Sequence, residues 1–120
     1  MKDSVLPFPL NDKIIKNCIE EVSKSVRDLL ADDLCSAYLY GSCARGDYRE
    51  DSDIDIAVMT HCDRMAVKQY SDGLAEIATE LAMKYYAIVN FVCIPYGEFL
   101  ENKSWYPFFA NIEKDGVRFV

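Results

Sequence analysis

The stretch YLYGSCARGDYREDSDIDIAV, Tyr38 to Val58, governs the reading of everything around it. An apolar run ends at Gly41-Ser42, ten residues follow, and Asp53-Ile54-Asp55 opens a second apolar run. Ile54, Ile56 and Val58 alternate with Asp53, Asp55 and Ala57, the period of two that marks a β-strand. On such a strand Asp53 and Asp55 leave the same face, with Cα atoms about 6.5–7 Å apart. Two carboxylates that close repel each other unless something positive joins them. Their spacing lets them converge on one cation, or on a pair of cations about 3.5–4 Å apart. Oxygen ligands that leave coordination positions open suit Mg²⁺, and Mn²⁺ shares the preference.

The Gly-Ser turn supplies the complementary half. Gly41 permits unusual dihedrals and close approach of a ligand to the backbone. Free N–H groups where a strand gives way to a helical turn cradle phosphate oxygens. Ser42 adds a hydroxyl, and the guanidinium of Arg45 matches a phosphate in geometry. Each part has an ordinary reading: a lone Asp-x-Asp is a solvated sheet edge, and Gly-Ser at a strand end is a turn. The combination at fixed spacing is what points to a site for a metal and a phosphorylated ligand.

Outward from this stretch, the spacing of Ile15, Ile19, Val22, Val26, Leu29 and Leu30 predicts a helix from Asn11 or Asp12 to Leu30. Cys35–Tyr40 is expected to form a buried strand, Cys43–Gly46 one helical turn, Asp47–Ser52 a polar loop and Asp53–Val58 a strand. Helical spacing returns from Asp63 to Tyr86, with Gly73 weakening its middle by about 1 kcal/mol relative to alanine. Ala87–Pro95 is almost wholly apolar and reads as a third strand, central in the sheet. The tail carries a short helix at Pro107–Asp115 and a last strand at Val117–Val120. Trp105, Tyr106, Phe108 and Phe109 are expected in the core or at its edge. The order predicts a small α/β (α+β) domain, helices against a short mixed sheet, with residues 1–120 as one domain.

Composition bounds the function. The 120 residues carry a net charge of −7, and no basic stripe is present, which argues against long nucleic acid as substrate. Five cysteines without a C-x-x-C spacing suit a reducing compartment. Cys18, Cys35 and Cys93 lie in apolar runs and read as small buried hydrophobes. The N-terminus lacks a secretory pattern and no apolar run approaches a membrane span, so a cytoplasmic location is expected. His61-Cys62-Asp63 reads as a polar loop, because three consecutive side chains point in different directions.

GSCARGDYREDSDIDIAV resembles the signature of MNT-type minimal nucleotidyltransferases, a branch of the DNA polymerase beta superfamily. That pattern is Gly-Ser, ten residues and Asp-x-Asp, often with Ala-Arg-Gly after the serine and Ser-Asp-Ile-Asp at the acids. The chain matches it at Gly41, Ser42, Ala44, Arg45, Gly46, Ser52, Asp53, Ile54, Asp55 and Ile56. The resemblance implies transfer of a nucleoside monophosphate from an NTP, with ATP as the expected donor. Asp53 and Asp55 would be the catalytic and metal-binding pair, and Gly41, Ser42 and Arg45 the nucleotide-binding set. The superfamily usually carries a third carboxylate on a later strand, and here the corresponding position is Asn90. Asparagine takes no proton and is a weak metal ligand beside aspartate. Either Asn90 is a buried amide satisfied by backbone, or it fills that site. In the latter case the acceptor brings its own charge, Glu98 swings in from the following loop, or activity is low or lost.

The resemblance also implies a partner. Stand-alone domains of this kind pair with HEPN-type toxins, and the transferase silences the toxin by adding AMP to a tyrosine. Two further readings stand beside this one. A weak or inactive nucleotide-binding domain would act by binding its partner. A small-molecule transferase, of the antibiotic-modifying type, would need a further domain or an oligomer to complete its pocket.

Overall fold

The computed structural model describes residues 9–120. The N-terminal residues on which the absence of a secretory pattern was read lie largely outside the described residues. Helix α1 (Asp12–Leu30) starts at the Asn11 cap, whose side chain accepts from Ile14 N at 3.0 Å. Its apolar stripe, Ile15, Cys18, Val22, Val26 and Leu30, is buried. Strand β1 (Leu34–Tyr40), helix α2 (Ser42–Arg45) and strand β2 (Ile54–Thr60) follow. The expected long helix is broken into α3 (Arg64–Val67), a 3-10 turn at Lys68–Tyr70 and α4 (Ser71–Tyr85). Asp63 starts α3 by accepting from Ala66 N at 2.9 Å. A Cβ on Gly73 would lie 2.5 Å from Leu29 Cδ1, so the Leu29 side chain of α1 packs directly on the bare backbone of α4.

Strand β3 (Val89–Pro95), helices α5 (Tyr96–Asn102) and α6 (Pro107–Asp115), and strand β4 (Val117–Arg118) complete the chain. The sheet order is β3-β2-β1-β4. Strand β1 is antiparallel to both β2 and β4, and β2 is parallel to β3. The mixed sheet flanked by helices agrees with the expected α+β class. The placement of β3 corrects the sequence reading: it is an edge strand. Its apolar character reports two covered faces, with Val89 buried among α1 and α4 residues and Ile94 among α5 and α6 residues. A parallel crossover through α3 and α4 sets it beside β2, and nothing in its composition requires a neighbour on the other side.

The alternation of β2 divides the core as expected. Ile54, Ile56 and Val58 pack toward α1 and α4, while Ala57 and Met59 pack with Phe99, Phe109 and Ile112. Helix α5 has no forecast counterpart. Phe109 is buried, but Trp105 is 68% and Tyr106 43% exposed, against the expectation of core or its edge. The Trp105 indole is held outside by an Nε1–H bond of 3.0 Å to Asn102 Oδ1. Cys18 is buried as expected, whereas Cys35 and Cys93 are half-buried, Cys93 because its strand is at the edge. Among the described residues, no helix is long and apolar enough to cross a membrane.

Candidate active site

Strand register assembles the site. Tyr40 pairs with Asp55 across β1 and β2, and Asp55 pairs with Asn90 across β2 and β3. Tyr40 leads directly into Gly41, so the Gly-Ser turn, both acids and Asn90 meet at one end of the sheet. Gly41 has φ 75° and ψ −156°, a region nearly confined to glycine. A Cβ there would stand 2.7 Å from Asp55 Oδ2. The turn therefore touches the carboxylate, which a residue with a side chain would prevent.

Helix α2 is a single turn. The Gly41 carbonyl accepts from Ala44 N and Arg45 N, each at 3.1 Å, and Gly46 closes the turn with φ 86°. The N–H groups of Ser42 and Cys43 donate to no acceptor among the described residues, as the start of a helix dictates. Cys43 Sγ donates to Asp53 O at 3.4 Å. Burial, with repulsion from Asp55, pushes that thiol up to about 11, so it is no nucleophile at neutral pH. The polar loop is tied down as well. Ser52 Oγ accepts from Arg49 N at 2.8 Å, Glu50 O accepts from Leu10 N at 3.0 Å, and Tyr48 Oη donates to Asp12.

Asn90 resolves the two readings of its position. It is exposed rather than buried, and backbone does not satisfy its side chain. Nδ2 donates to Asp53 Oδ2 at 2.9 Å and to Asp55 Oδ1 at 3.3 Å. The N–H₂ of the amide supplies the positive end that two converging acids require. Burial raises the Asp55 carboxyl above its ordinary value; the Asn90 bond lowers it in part and repulsion from Asp53 adds to the rise. Burial and the Asp55 carboxylate push Tyr40, which the sequence did not single out, up to about 12.

Two candidates stand elsewhere. Arg45 is exposed and its Nε lies 3.3 Å from Asp47 Oδ2, on the loop rather than over the acids. Such a surface pair is weak, so the guanidinium is free to exchange partners. Glu98 corrects the swing-in reading. It follows the far end of β3, about 16 Å along the strand from Asn90, and grips Arg64 with Nη2–Oε1 at 2.5 Å. His61, Cys62 and Asp63 belong to no cluster: Asp63 caps α3, and His61 N donates to Asp33 O at 2.8 Å.

Among the described residues, no three His, Cys, Asp or Glu side chains gather as a metal site. The arrangement nevertheless fits a divalent cation, because one oxygen of each acid already points at a single atom, Asn90 Nδ2. An amide that flips presents Oδ1 in place of Nδ2 and becomes a neutral third ligand.

Comparison with known proteins shows the family and the fold. The family described as polymerase beta nucleotidyltransferase matches residues 20–97. The "Putative protein adenylyltransferase MJ0141" of Methanocaldococcus jannaschii is 32% identical over 72 residues, 60% of this chain and 71% of the relative. "Putative protein adenylyltransferase MJ0604" of the same organism is 29% identical over 105 residues, 88% of this chain and 93% of the relative. Among solved structures, a toxin–antitoxin with AMP-PNP matches with TM-score 0.55 and 24% identity, over 83% of this chain and 70% of that one. A tri-AMPylated Shewanella oneidensis HEPN toxin in complex with MNT antitoxin matches with TM-score 0.50 and 21% identity, over 87% and 70%. The last two likenesses establish the fold. With its sheet, its Gly-Ser turn and its paired acids in these places, the chain belongs to the polymerase beta nucleotidyltransferase family.

Proposed function

We propose that this chain transfers AMP from ATP to a hydroxyl of a partner protein, a HEPN-type toxin being the partner that the fold neighbours suggest. The observation that carries the reading is the convergence of Asp53 and Asp55 on one point beneath the Gly41-Ser42 turn. Ser42 and Cys43 offer their N–H groups, and Ser42 its hydroxyl, to the triphosphate. Arg45 leaves Asp47 for the phosphates, where its fork binds two oxygens. Asp53 and Asp55 would hold Mg²⁺, with Asn90 turned to offer its oxygen, and the ion would supply neutralisation of phosphate charge. The acceptor oxygen bonds to the α-phosphorus as the bond to the β-phosphate oxygen breaks, and pyrophosphate leaves. Asn90 cannot take the acceptor's proton, so the proton passes to solvent or to the departing phosphates.

The test is label transfer. Purified protein with Mg²⁺ and α-labelled ATP in host lysate is expected to label one protein band. γ-Labelled ATP and the Asp53→Ala/Asp55→Ala variant are expected to give none. Labelling that survives the double substitution would refute the reading. The amide at position 90 favours a second reading, a domain that binds nucleotide and partner without transfer. Under it the band is absent, and the double variant neutralises its partner as well as the wild type does.

A further inference from the structure

An aromatic wall stands beside the paired acids. Tyr40 lies directly opposite Asp55 in the register of β1 on β2, so the two side chains share a face of the sheet. Phe108, from the first turn of α6, meets the Tyr40 ring edge-on with centroids 5.5 Å apart. Tyr106 follows at 6.4 Å from Phe108, and Trp105 at 5.9 Å from Tyr106. Packing accounts for only part of this arrangement. Tyr40 and Phe108 are half-buried on the Ala57 and Met59 side of the core, whereas Tyr106 is 43% and Trp105 68% exposed. Four rings thus run in succession from the neighbour of Asp55 out to solvent.

The direction of transfer says what such a wall meets. Attacking and leaving oxygens lie roughly in line through the α-phosphorus. The Gly41-Ser42 turn, Asp55 and Asn90 stand in that order across β1, β2 and β3. Pyrophosphate departing on the Gly41-Ser42 side places the acceptor on the Asn90 side, so the line of attack crosses the strands. The nucleoside hangs from a third oxygen of the α-phosphorus and leaves that line sideways. Over the face that carries both acids, that direction leads to Tyr40 and then to Phe108. The Tyr40 phenol, pushed up to about 12 by burial and by Asp55, keeps its proton at neutral pH and adds no charge beside the phosphates.

From this arrangement we infer that Tyr40, Phe108 and Tyr106 hold the nucleoside of the donor, the sugar passing Tyr40 and the base packing against Phe108 and Tyr106. The inference rests on the transfer reading for the direction in which the nucleotide lies. It adds the residues that grip the part of the donor beyond the reach of the Gly41-Ser42 turn. Base–aromatic stacking contributes about 1–3 kcal/mol per base and takes any base, because every base has a π-face. A purine presents more ring area than a pyrimidine, so the wall favours ATP and GTP over CTP and UTP. The amide beside Trp105 is already engaged and reads no base edge: Asn102 Nδ2 donates to Glu98 O at 2.8 Å, and its Oδ1 accepts from Trp105 Nε1 at 3.0 Å. Selection at the wall is thus by ring size, and adenine and guanine are held alike.

The probes are an α,β-methylene analogue of ATP, which cannot be transferred, and inorganic tripolyphosphate, which has no nucleoside. Each is titrated with Mg²⁺ into the full chain and followed by calorimetry and by the emission of Trp105, the single tryptophan. The analogue is expected to bind about tenfold more tightly than tripolyphosphate. Phe108→Leu and Tyr106→Leu keep apolar bulk and lose the ring. Each should weaken the analogue about fivefold and leave tripolyphosphate unchanged. The guanine analogue should match the adenine one, and the cytosine analogue should bind less tightly. Equal affinity for analogue and tripolyphosphate, analogue binding unchanged in both variants, equal losses for both probes, or a strong preference between adenine and guanine would each overturn the inference. Failure of both probes to bind would overturn the phosphate reading of the Gly41-Ser42 turn and the wall with it. A chain that binds the analogue through these rings yet labels no protein from α-labelled ATP refutes transfer and leaves the nucleoside site standing.

Discussion

Replacing Asn90 by aspartate converts the contacts at 2.9 and 3.3 Å from hydrogen bonds into repulsions between carboxylates. In a water-like dielectric each unit pair at this range costs about 1 kcal/mol, and Asn90 is exposed, so that limit applies: about 2 kcal/mol for the two. Loss of the amide's bonds to charged acceptors adds about 1–2 kcal/mol. At this chain length 1 kcal/mol moves the melting point by about 3–5 °C. Asn90→Asp in EDTA should therefore melt about 10–15 °C below the wild type. Asn90→Ala, which loses the bridge without gaining a charge, should melt only about 5 °C below it. Mg²⁺ should reverse the order of effect. Three carboxylates bind the ion better than two, and at about a hundred times Kd binding adds about 2.7 kcal/mol. The assay is thermal unfolding by circular dichroism, with EDTA or Mg²⁺, for all three proteins. Melting of Asn90→Asp in EDTA indistinguishable from wild type would refute the bridge. A Mg²⁺ response no larger than that of wild type would refute a shared cation.

Two further outcomes follow from the same site. Gly41→Ala should cost about 1–3 kcal/mol in backbone strain and push Asp55 aside, so both melting temperature and label transfer should fall; retention of full transfer would contradict the contact between turn and acid. Because burial raises the Asp55 carboxyl, the folded chain holds its proton above the ordinary value of 3.8, where the unfolded chain has lost it, and stability falls as pH rises through that window. In EDTA, Asp55→Asn should accordingly flatten that fall, as measured by urea unfolding across pH; an unchanged slope would refute the assignment.

The sequence carried the local facts because they are short-range. The alternation from Asp53 to Val58 determined which face each acid leaves, and helical spacing with the Asn11 cap determined α1. The ten-residue spacing between Gly-Ser and Asp-x-Asp carried the resemblance to the family to which the chain belongs. Pairing was not legible in this way. An apolar strand declares that its faces are covered and says nothing about its edges, so β3 reads as central and proves to be outermost. Glu98 is close to Asn90 in sequence but lies beyond the far end of a straight strand, so the fold separates them. Only the parallel register of β3 on β2 could bring the Asn90 amide between Asp55 of β2 and Asp53 just before it. That contact depends on hydrogen bonds between residues 35 and 37 positions apart, which no local pattern encodes.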